Sequence, residues 1–135
     1  MDRRNFILAS AASLIAAPAV AAQRYTKGLV AQELAAGKTV FVDFYTDWCT
    51  TCRSQQATLR KLKKENPAYE ANITFIKVDW DLHSNSKLAR DLNIPRRSTL
   101  VALKGDREIG RIVAGTGRDD IKALMDKALA ASTSA

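Results

Sequence analysis

Residues that commonly bind metals are scarce in this chain. Among its 135 residues it has two cysteines, Cys49 and Cys52, and one histidine, His83. Structural zinc is normally held by four protein ligands, mostly cysteine and histidine. A single copy of the chain therefore cannot assemble a cysteine–histidine zinc site, and only a dimer would bring enough of these ligands together.

The sequence also lacks a long uninterrupted hydrophobic run. A membrane-spanning helix needs about 20 consecutive apolar residues. The most apolar stretch lies within residues 1–22, where it is rich in alanine and is interrupted by Ser10, Ser13 and Pro18. This stretch is therefore a poor candidate for a membrane anchor.

The same N-terminal stretch has the features of a secretory signal peptide. Its charged start, apolar middle and small residues near its end predict cleavage after Ala21 or Ala22. The pair Arg3-Arg4 resembles the twin-arginine export motif, although two arginines also suit general secretion. The rest of the chain, residues 23–135, has the size of one domain. We expect this domain to be periplasmic.

The charge of the chain is unbalanced toward basic residues, with 21 Lys+Arg against 14 Asp+Glu and a net charge of +7. A basic domain is a candidate for nucleic-acid binding. However, no stretch interleaves aromatic with basic residues, and the basic run at residues 60–65 has the pattern of a solvated helix face. The charge therefore favours protein partners with acidic surfaces over nucleic acid.

Strands and helices are predicted to alternate along the chain. The runs at residues 39–46 and 73–80 are almost continuously apolar, as in strands buried on both faces. Helical spacing, capping residues and turn residues predict the other elements, which are helices at 28–38, 50–66, 84–93 and 118–130 and a hairpin at 98–113. This order predicts an α/β domain with a parallel sheet, helices on both faces and an antiparallel hairpin at one edge.

Cys49 and Cys52 lie where the first predicted strand passes into the helix at 50–66. The free N–H groups of a helix's first turn favour a negative charge, so the first thiol ionises more easily. A thiolate attacks a disulfide, and a second thiol one turn further can then close a ring and expel the bound partner. The spacing favours a redox dithiol with Cys49 as nucleophile and Cys52 as resolving residue. A structural disulfide, a metal site shared in a dimer and a pair of packing thiols remain alternatives.

The segment VFVDFYTDWCTTCR, residues 40–53, resembles the active-site segment of the thioredoxin superfamily. Its DWC form is most similar to the C-terminal thioredoxin domain of periplasmic thiol:disulfide interchange proteins. The resemblance implies a thioredoxin fold, with a mixed sheet of four to five strands between two layers of helices. It also implies a monomeric, exported thiol:disulfide oxidoreductase that uses a Cys49–Cys52 disulfide and no dissociable cofactor. Its partners would be protein disulfides or dithiols, with a membrane thiol reductase as one candidate.

The resemblance also assigns roles to residues around the dithiol. Asp43 matches a buried acid that moves the proton of the resolving cysteine, and Lys77 matches a lysine that pairs with this acid. Trp48 matches a tryptophan that packs beside the dithiol, shields it and contacts substrate. A thioredoxin-like binding module without catalytic activity and a dimeric metal or iron–sulfur protein are the competing interpretations.

One position departs from the family pattern. The family places a cis-proline opposite the dithiol, just before a strand, and alignment of Thr99 with the start of that strand puts Ser98 there. A cis bond without proline costs about 2.5–4 kcal/mol, so we expect the Arg97–Ser98 bond to be trans. With Trp48, the residues Arg97, Ser98 and Thr99 are predicted to contact substrate. Arg97 is also predicted to face the dithiol and to lower the pKa of Cys49.

Overall fold

The computed structural model describes residues 22–134. The predicted signal peptide at 1–22, its twin-arginine motif and its cleavage after Ala21 or Ala22 therefore fall outside the described residues, except for Ala22 itself. Within the described part of the chain, no helix is both long enough and apolar enough to cross a membrane.

The described residues form five strands and six helices. The strands are β1 (Gln23–Arg24), β2 (Thr39–Tyr45), β3 (Ile73–Asp79), β4 (Thr99–Lys104) and β5 (Arg107–Val113). The helices are α1 (Leu29–Ala35), α2 (Thr50–Glu65), α3 (Ala68–Asn72), α4 (Trp80–His83), α5 (Lys87–Asp91) and α6 (Arg118–Thr133).

The strands form one mixed sheet in the order β1-β3-β2-β4-β5. The strand β3 runs parallel to both β1 and β2, whereas β4 is antiparallel to β2 and β5 is antiparallel to β4. The predicted mixed sheet with a hairpin at its edge is thus confirmed. All seven residues of the central strand β2 are buried, which explains why its sequence is apolar without alternation.

Helices cover both faces of the sheet, as predicted. One face packs against α2, α3 and α6 around Phe41, Leu62, Leu100, Ile121 and Met125. The other face packs against α1 and α5 around Val30, Val42, Phe44, Ala89 and Val101. Burial of a large apolar side chain stabilises a fold by about 1.5–3 kcal/mol. These two layers therefore hold β2, and the turn that follows it, in a fixed position.

The helix α2 begins directly after the turn that follows β2. The residue before it, Cys49, has the extended backbone typical of an N-cap, with φ −88° and ψ 116°. The helix ends at Glu65, because Pro67 lacks the N–H group that would continue it. The prediction of a helix at 50–66 is therefore confirmed to within one residue, and it fixes the dithiol at the first turn.

Two short helices were not predicted from the sequence. The helix α3 follows Pro67 and has five residues, and α4 has four residues and is capped by the Asp79 carboxylate. Neither is long enough to show a hydrophobic period. The predicted helix at 84–93 is shorter in the structure, because Ser86 is the residue that caps α5 by accepting a hydrogen bond from the N–H of Ala89.

Candidate active site

The two cysteines lie between the C-terminal end of β2 and the start of α2. The Cys49 sulfur accepts a hydrogen bond from the backbone N–H of Cys52 at 3.2 Å, which caps the helix. Both thiols are free; Cys49 is 4% exposed and Cys52 is 0% exposed. The dithiol therefore sits at the first turn of a helix, as the sequence predicts, and a partner has narrow access to Cys49 only.

Ser98 lies opposite the dithiol, in the bend before β4. No peptide bond among residues 22–134 is cis, so the Arg97–Ser98 bond is trans, as expected. The backbone instead adopts the left-handed region at Ser98, with φ 64°, which is unusual for a residue with a side chain. Its Oγ lies 3.1 Å from the sulfur of Cys49 and 3.0 Å from that of Cys52.

Burial and hydrogen bonds together determine the ionisation of the two thiols. Burial raises the pKa of Cys49, but hydrogen bonds from Cys52, Ser98 and Arg97 outweigh it and lower this pKa to about 6. Burial raises the pKa of Cys52, and the hydrogen bond that its thiol gives to Cys49 raises it further. At neutral pH the reduced protein therefore holds a thiolate at Cys49 and a thiol at Cys52.

Gln55 is a site residue that the sequence analysis missed. It is fully buried, and its Nε2 donates hydrogen bonds to the backbone carbonyls of Ser98 at 3.0 Å and Gly115 at 2.9 Å. These bonds tie α2 to the segments on either side of the β4–β5 hairpin. The one available signal is that Gln55 follows Cys52 by three residues and so shares its face of the helix.

Trp48 and Arg97 form a stacked pair beside the dithiol. The Arg97 Cζ lies 4.3 Å from the centroid of the Trp48 ring, and the indole Nε1 donates a hydrogen bond to Asp81 at 2.9 Å. Trp48 is 58% exposed. Much of its ring therefore lies in solvent, where a partner protein can pack against it, and its role in shielding the thiols stays a prediction.

Replacement of Arg97 by alanine is expected to raise the pKa of Cys49 by about half a unit to one unit, because a nearby positive charge favours the thiolate. Ultraviolet absorbance of the thiolate, followed against pH in the reduced protein, measures this shift. Arg60→Ala removes the same charge from the far part of α2 and serves as the control. An unchanged pKa in Arg97→Ala would contradict the role of this guanidinium.

Asp43 is a buried carboxylate on the central strand. Its Oδ2 accepts a hydrogen bond from Gln56 at 3.3 Å, and its Oδ1 has no hydrogen-bond partner among the described residues. Burial raises the pKa of Asp43 to about 6, although Gln56, Lys77 and Lys63 each lower it. The carboxyl group borders a cavity of about 550 Å³. A titrating acid beside a cavity can exchange its proton with solvent near neutral pH.

Lys77 makes a contact that its predicted role does not include. Lys77 is the direct neighbour of Asp43 across β2 and β3 and borders the same cavity, but its ammonium lies over the Tyr45 ring, 4.9 Å from the centroid. Its effect on Asp43 is therefore through charge.

Thr99 is fully buried and donates a hydrogen bond from Oγ1 to the Arg96 carbonyl at 2.7 Å, so it stabilises the bend before β4. Ser98 is equally buried. That Ser98 and Thr99 contact substrate stays a prediction.

The described residues do not assemble a metal site. Within residues 22–134, no group of three or more histidine, cysteine, aspartate or glutamate side chains is close enough to hold an ion. The ring of the single histidine, His83, packs edge-on against Tyr25 at 4.9 Å between centroids.

Comparisons with known proteins agree with this site. A model of the thioredoxin family matches residues 20–127. A thioredoxin of Chlamydia trachomatis is 30% identical over 97 residues, which are 72% of this chain and 88% of that protein. A thioredoxin of Mycolicibacterium smegmatis is 29% identical over 85 residues, which are 63% of this chain and 73% of that protein.

Solved structures also resemble this chain in fold. The thioredoxin Mala s 13 of Malassezia sympodialis superposes with a TM-score of 0.68 at 25% identity, over 82% of this chain and 95% of that one. The protein Trxlp of Edwardsiella tarda superposes with a TM-score of 0.66 at 26% identity, over 77% of this chain and 98% of that one. The family match spans most of the described residues and includes both cysteines, and thioredoxins are protein-disulfide oxidoreductases. This chain belongs to the thioredoxin family.

Proposed function

We propose that this thioredoxin-like redox protein is exported to the bacterial periplasm and reduces or exchanges disulfides in partner proteins there. The observation that carries the proposal is the pair of thiols at the start of α2. Cys49, with a pKa of about 6, is ionised at neutral pH, and Cys52, with a raised pKa, keeps its proton. Cys49 is therefore in the thiolate form, which attacks a disulfide, and Cys52 is in the thiol form, which reacts in the second step.

The reaction has two steps and needs no dissociable cofactor. The Cys49 thiolate attacks a partner disulfide, forms a mixed disulfide and releases one partner thiolate, which takes a proton from solvent. Cys52 then attacks the Cys49 sulfur, closes the Cys49–Cys52 disulfide and releases the second partner sulfur as a thiol. Two electrons pass from the dithiol to the partner. The same steps in reverse oxidise a partner dithiol.

The surface around the dithiol supports a protein partner. Cys49 is nearly buried, so a partner must place its disulfide at the edge of the site, where the Trp48 ring offers an exposed apolar face. Arg97, stacked on that ring, and the net charge of +7 favour a partner with an acidic rim. The similarity of the DWC segment to periplasmic interchange proteins supports a membrane thiol reductase as the source of electrons.

Export is tested by producing the full-length chain in a bacterium and measuring the intact mass of the protein in each cell fraction. We expect a periplasmic protein that begins at Ala22 or Gln23, because the leader predicts cleavage after Ala21 or Ala22. A double variant, Arg3→Lys with Arg4→Lys, distinguishes the two export routes, because only twin-arginine export depends on this pair. Full-length protein confined to the cytoplasm would contradict export.

Two further measurements separate the proposed activity from its alternatives. Acceleration of insulin reduction by dithiothreitol is expected of a thiol:disulfide oxidoreductase and not of a binding module. Visible absorbance and elemental analysis of the freshly purified protein test for an iron–sulfur cluster or zinc shared between two copies. A protein that carries such a group and lacks insulin activity would contradict the proposal.

A further inference from the structure

The buried side chain of Gln55 bonds to two backbone segments that flank the dithiol. Its Nε2 donates to the Ser98 carbonyl at 3.0 Å and to the Gly115 carbonyl at 2.9 Å. An amide nitrogen carries two hydrogens, so one group can serve both acceptors. Gln55 thus connects the start of α2 to the bend before β4 and to the segment that follows β5.

The two segments share an unfavourable backbone conformation. Only three residues other than glycine within residues 22–134 have a positive φ, and Ser98 at 64° and Ala114 at 63° are two of them. The Ala114 N–H donates to the Ser98 carbonyl at 2.8 Å, and the same carbonyl accepts the hydrogen bond from Gln55. A strained backbone of this kind persists only where the surrounding structure fixes it. The Gln55 amide is a central part of that fixation.

Packing alone does not account for a glutamine at this position. Gln55 is fully buried, and its Oε1 has no hydrogen-bond partner among the described residues. A buried polar atom without a partner destabilises a fold, and an apolar side chain of similar size would not carry that cost. What the glutamine supplies, and an apolar residue lacks, is the donor group that faces Ser98 and Gly115.

The bend that Gln55 holds carries a hydroxyl in contact with the nucleophile. The Ser98 Oγ lies 3.1 Å from the Cys49 sulfur. A thiolate has no proton to donate, so the hydroxyl donates the hydrogen bond to Cys49. This bond is one of those that lower the pKa of Cys49. Because a hydrogen bond weakens as its distance and angle depart from the ideal, a bend that moves away from α2 loses this stabilisation of the thiolate.

We propose that Gln55 is a positioning residue of the disulfide exchange, which holds the Ser98 hydroxyl against the Cys49 sulfur and so keeps the nucleophile as a thiolate. The inference rests on the proposed function of the dithiol. Both hydrogen bonds of the Gln55 side chain go to backbone carbonyls. Gln55 therefore acts on Cys49 through the position of the bend and not through a charge of its own.

Other groups act on the same sulfur directly. Cys52 and Arg97 give the Cys49 sulfur hydrogen bonds, and Asp43 on β2 interacts with it by charge. In the described part of the chain, none of them is a hydrogen-bond partner of the Gln55 side chain. A displaced bend would nevertheless move the guanidinium, because it belongs to the residue before the serine. The test must therefore separate the hydroxyl from the guanidinium.

The test is a double-mutant cycle on the pKa of Cys49, measured by ultraviolet absorbance of the thiolate in the reduced protein. Gln55→Met keeps the length of the side chain and removes the donor, and Ser98→Ala removes the hydroxyl. We expect each single variant to raise this pKa by about half a unit to one unit. The pKa in the double variant should match that in Ser98→Ala to within about 0.3 unit.

Two further variants make the measurement specific and robust. Gln32→Met makes the same change at an exposed position of α1 and should leave the pKa of Cys49 unchanged. If Gln55→Met alone does not fold, it is combined with Ala114→Gly, because glycine relieves the strain of the left-handed backbone at that residue. Ala114→Gly alone is then the reference for the pKa shift.

The outcomes are distinct. An unchanged pKa of Cys49 in folded Gln55→Met would overturn the positioning role. A rise that is equally large with and without Ser98→Ala would also overturn it, because the effect would then reach Cys49 through another group, such as Arg97. The reaction of the wild type with glutathione disulfide is followed separately by intact mass. A wild-type protein that forms no mixed disulfide would contradict the proposed function, whereas the pKa cycle tests the placement of the hydroxyl by itself.

Discussion

Replacement of Cys49 by serine is expected to reduce insulin reduction to the rate of dithiothreitol alone. Cys49 is the thiolate of the dithiol, with a pKa lowered to about 6, and a serine hydroxyl at the same position stays protonated and is a poor nucleophile. The turbidity of precipitating insulin chains measures the rate. Thr50→Ser, at an exposed position one residue further, is the matched control and should retain full activity.

The companion variant Cys52→Ser tests the order of the two steps. It should also lose turnover, because ring closure is blocked, but Cys49 should still form a mixed disulfide that accumulates and is visible by intact mass. If Cys49→Ser retained activity, or if the mixed disulfide formed on Cys52 in its place, the assignment of the nucleophile would be wrong.

Replacement of Asp43 by asparagine is expected to stabilise the reduced protein by about 2–3 kcal/mol at pH values above about 7. The reason is that burial raises the pKa of Asp43 to about 6 in the folded protein, against about 4 in the unfolded chain. The folded protein therefore binds the Asp43 proton more tightly than the unfolded chain does. Stability that depends on Asp43 is fully present below about pH 4 and is lost as the pH rises through about 6.

Urea unfolding of the reduced wild type and of Asp43→Asn at several pH values measures this linkage. The two free energies of unfolding should converge below about pH 4 and separate between about pH 4 and about pH 6. The Cys49 thiolate is present in both proteins, so its contribution largely cancels in the difference. Asp91→Asn removes an exposed carboxylate and should change stability by at most about 1 kcal/mol. A pH-independent difference would show that Asp43 has an ordinary pKa.

The sequence predicts the sheet and the dithiol well because both depend on local patterns. The apolar run of β2, the proline after α2 and the glycine-containing turn at Gly105 are properties of neighbouring residues. A Cys-x-x-Cys pair that directly follows a predicted strand can also be placed, from the sequence, at the start of the next helix. These features need no knowledge of how distant segments meet.

The sequence does not predict contacts that depend on how distant segments meet. The alignment identifies Ser98 as a departure from the family's proline, but its contact with both sulfurs follows from the left-handed backbone at that residue. Gln55 appears as one polar residue of an amphipathic helix until the fold brings Gly115 to it. Trp48 lies in solvent because Asp81 and Arg97 hold its ring at the surface.

Alkylation of the reduced, folded protein by iodoacetamide tests the central claim most directly. Peptide mass spectrometry reports the rate at each cysteine as the pH is raised. We expect Cys49 to react with a midpoint of about pH 6 and Cys52 to stay unmodified throughout the neutral range. A midpoint near the value of an ordinary thiol, about 8.5, or preferential modification of Cys52, would contradict the assignment of Cys49 as the ionised nucleophile.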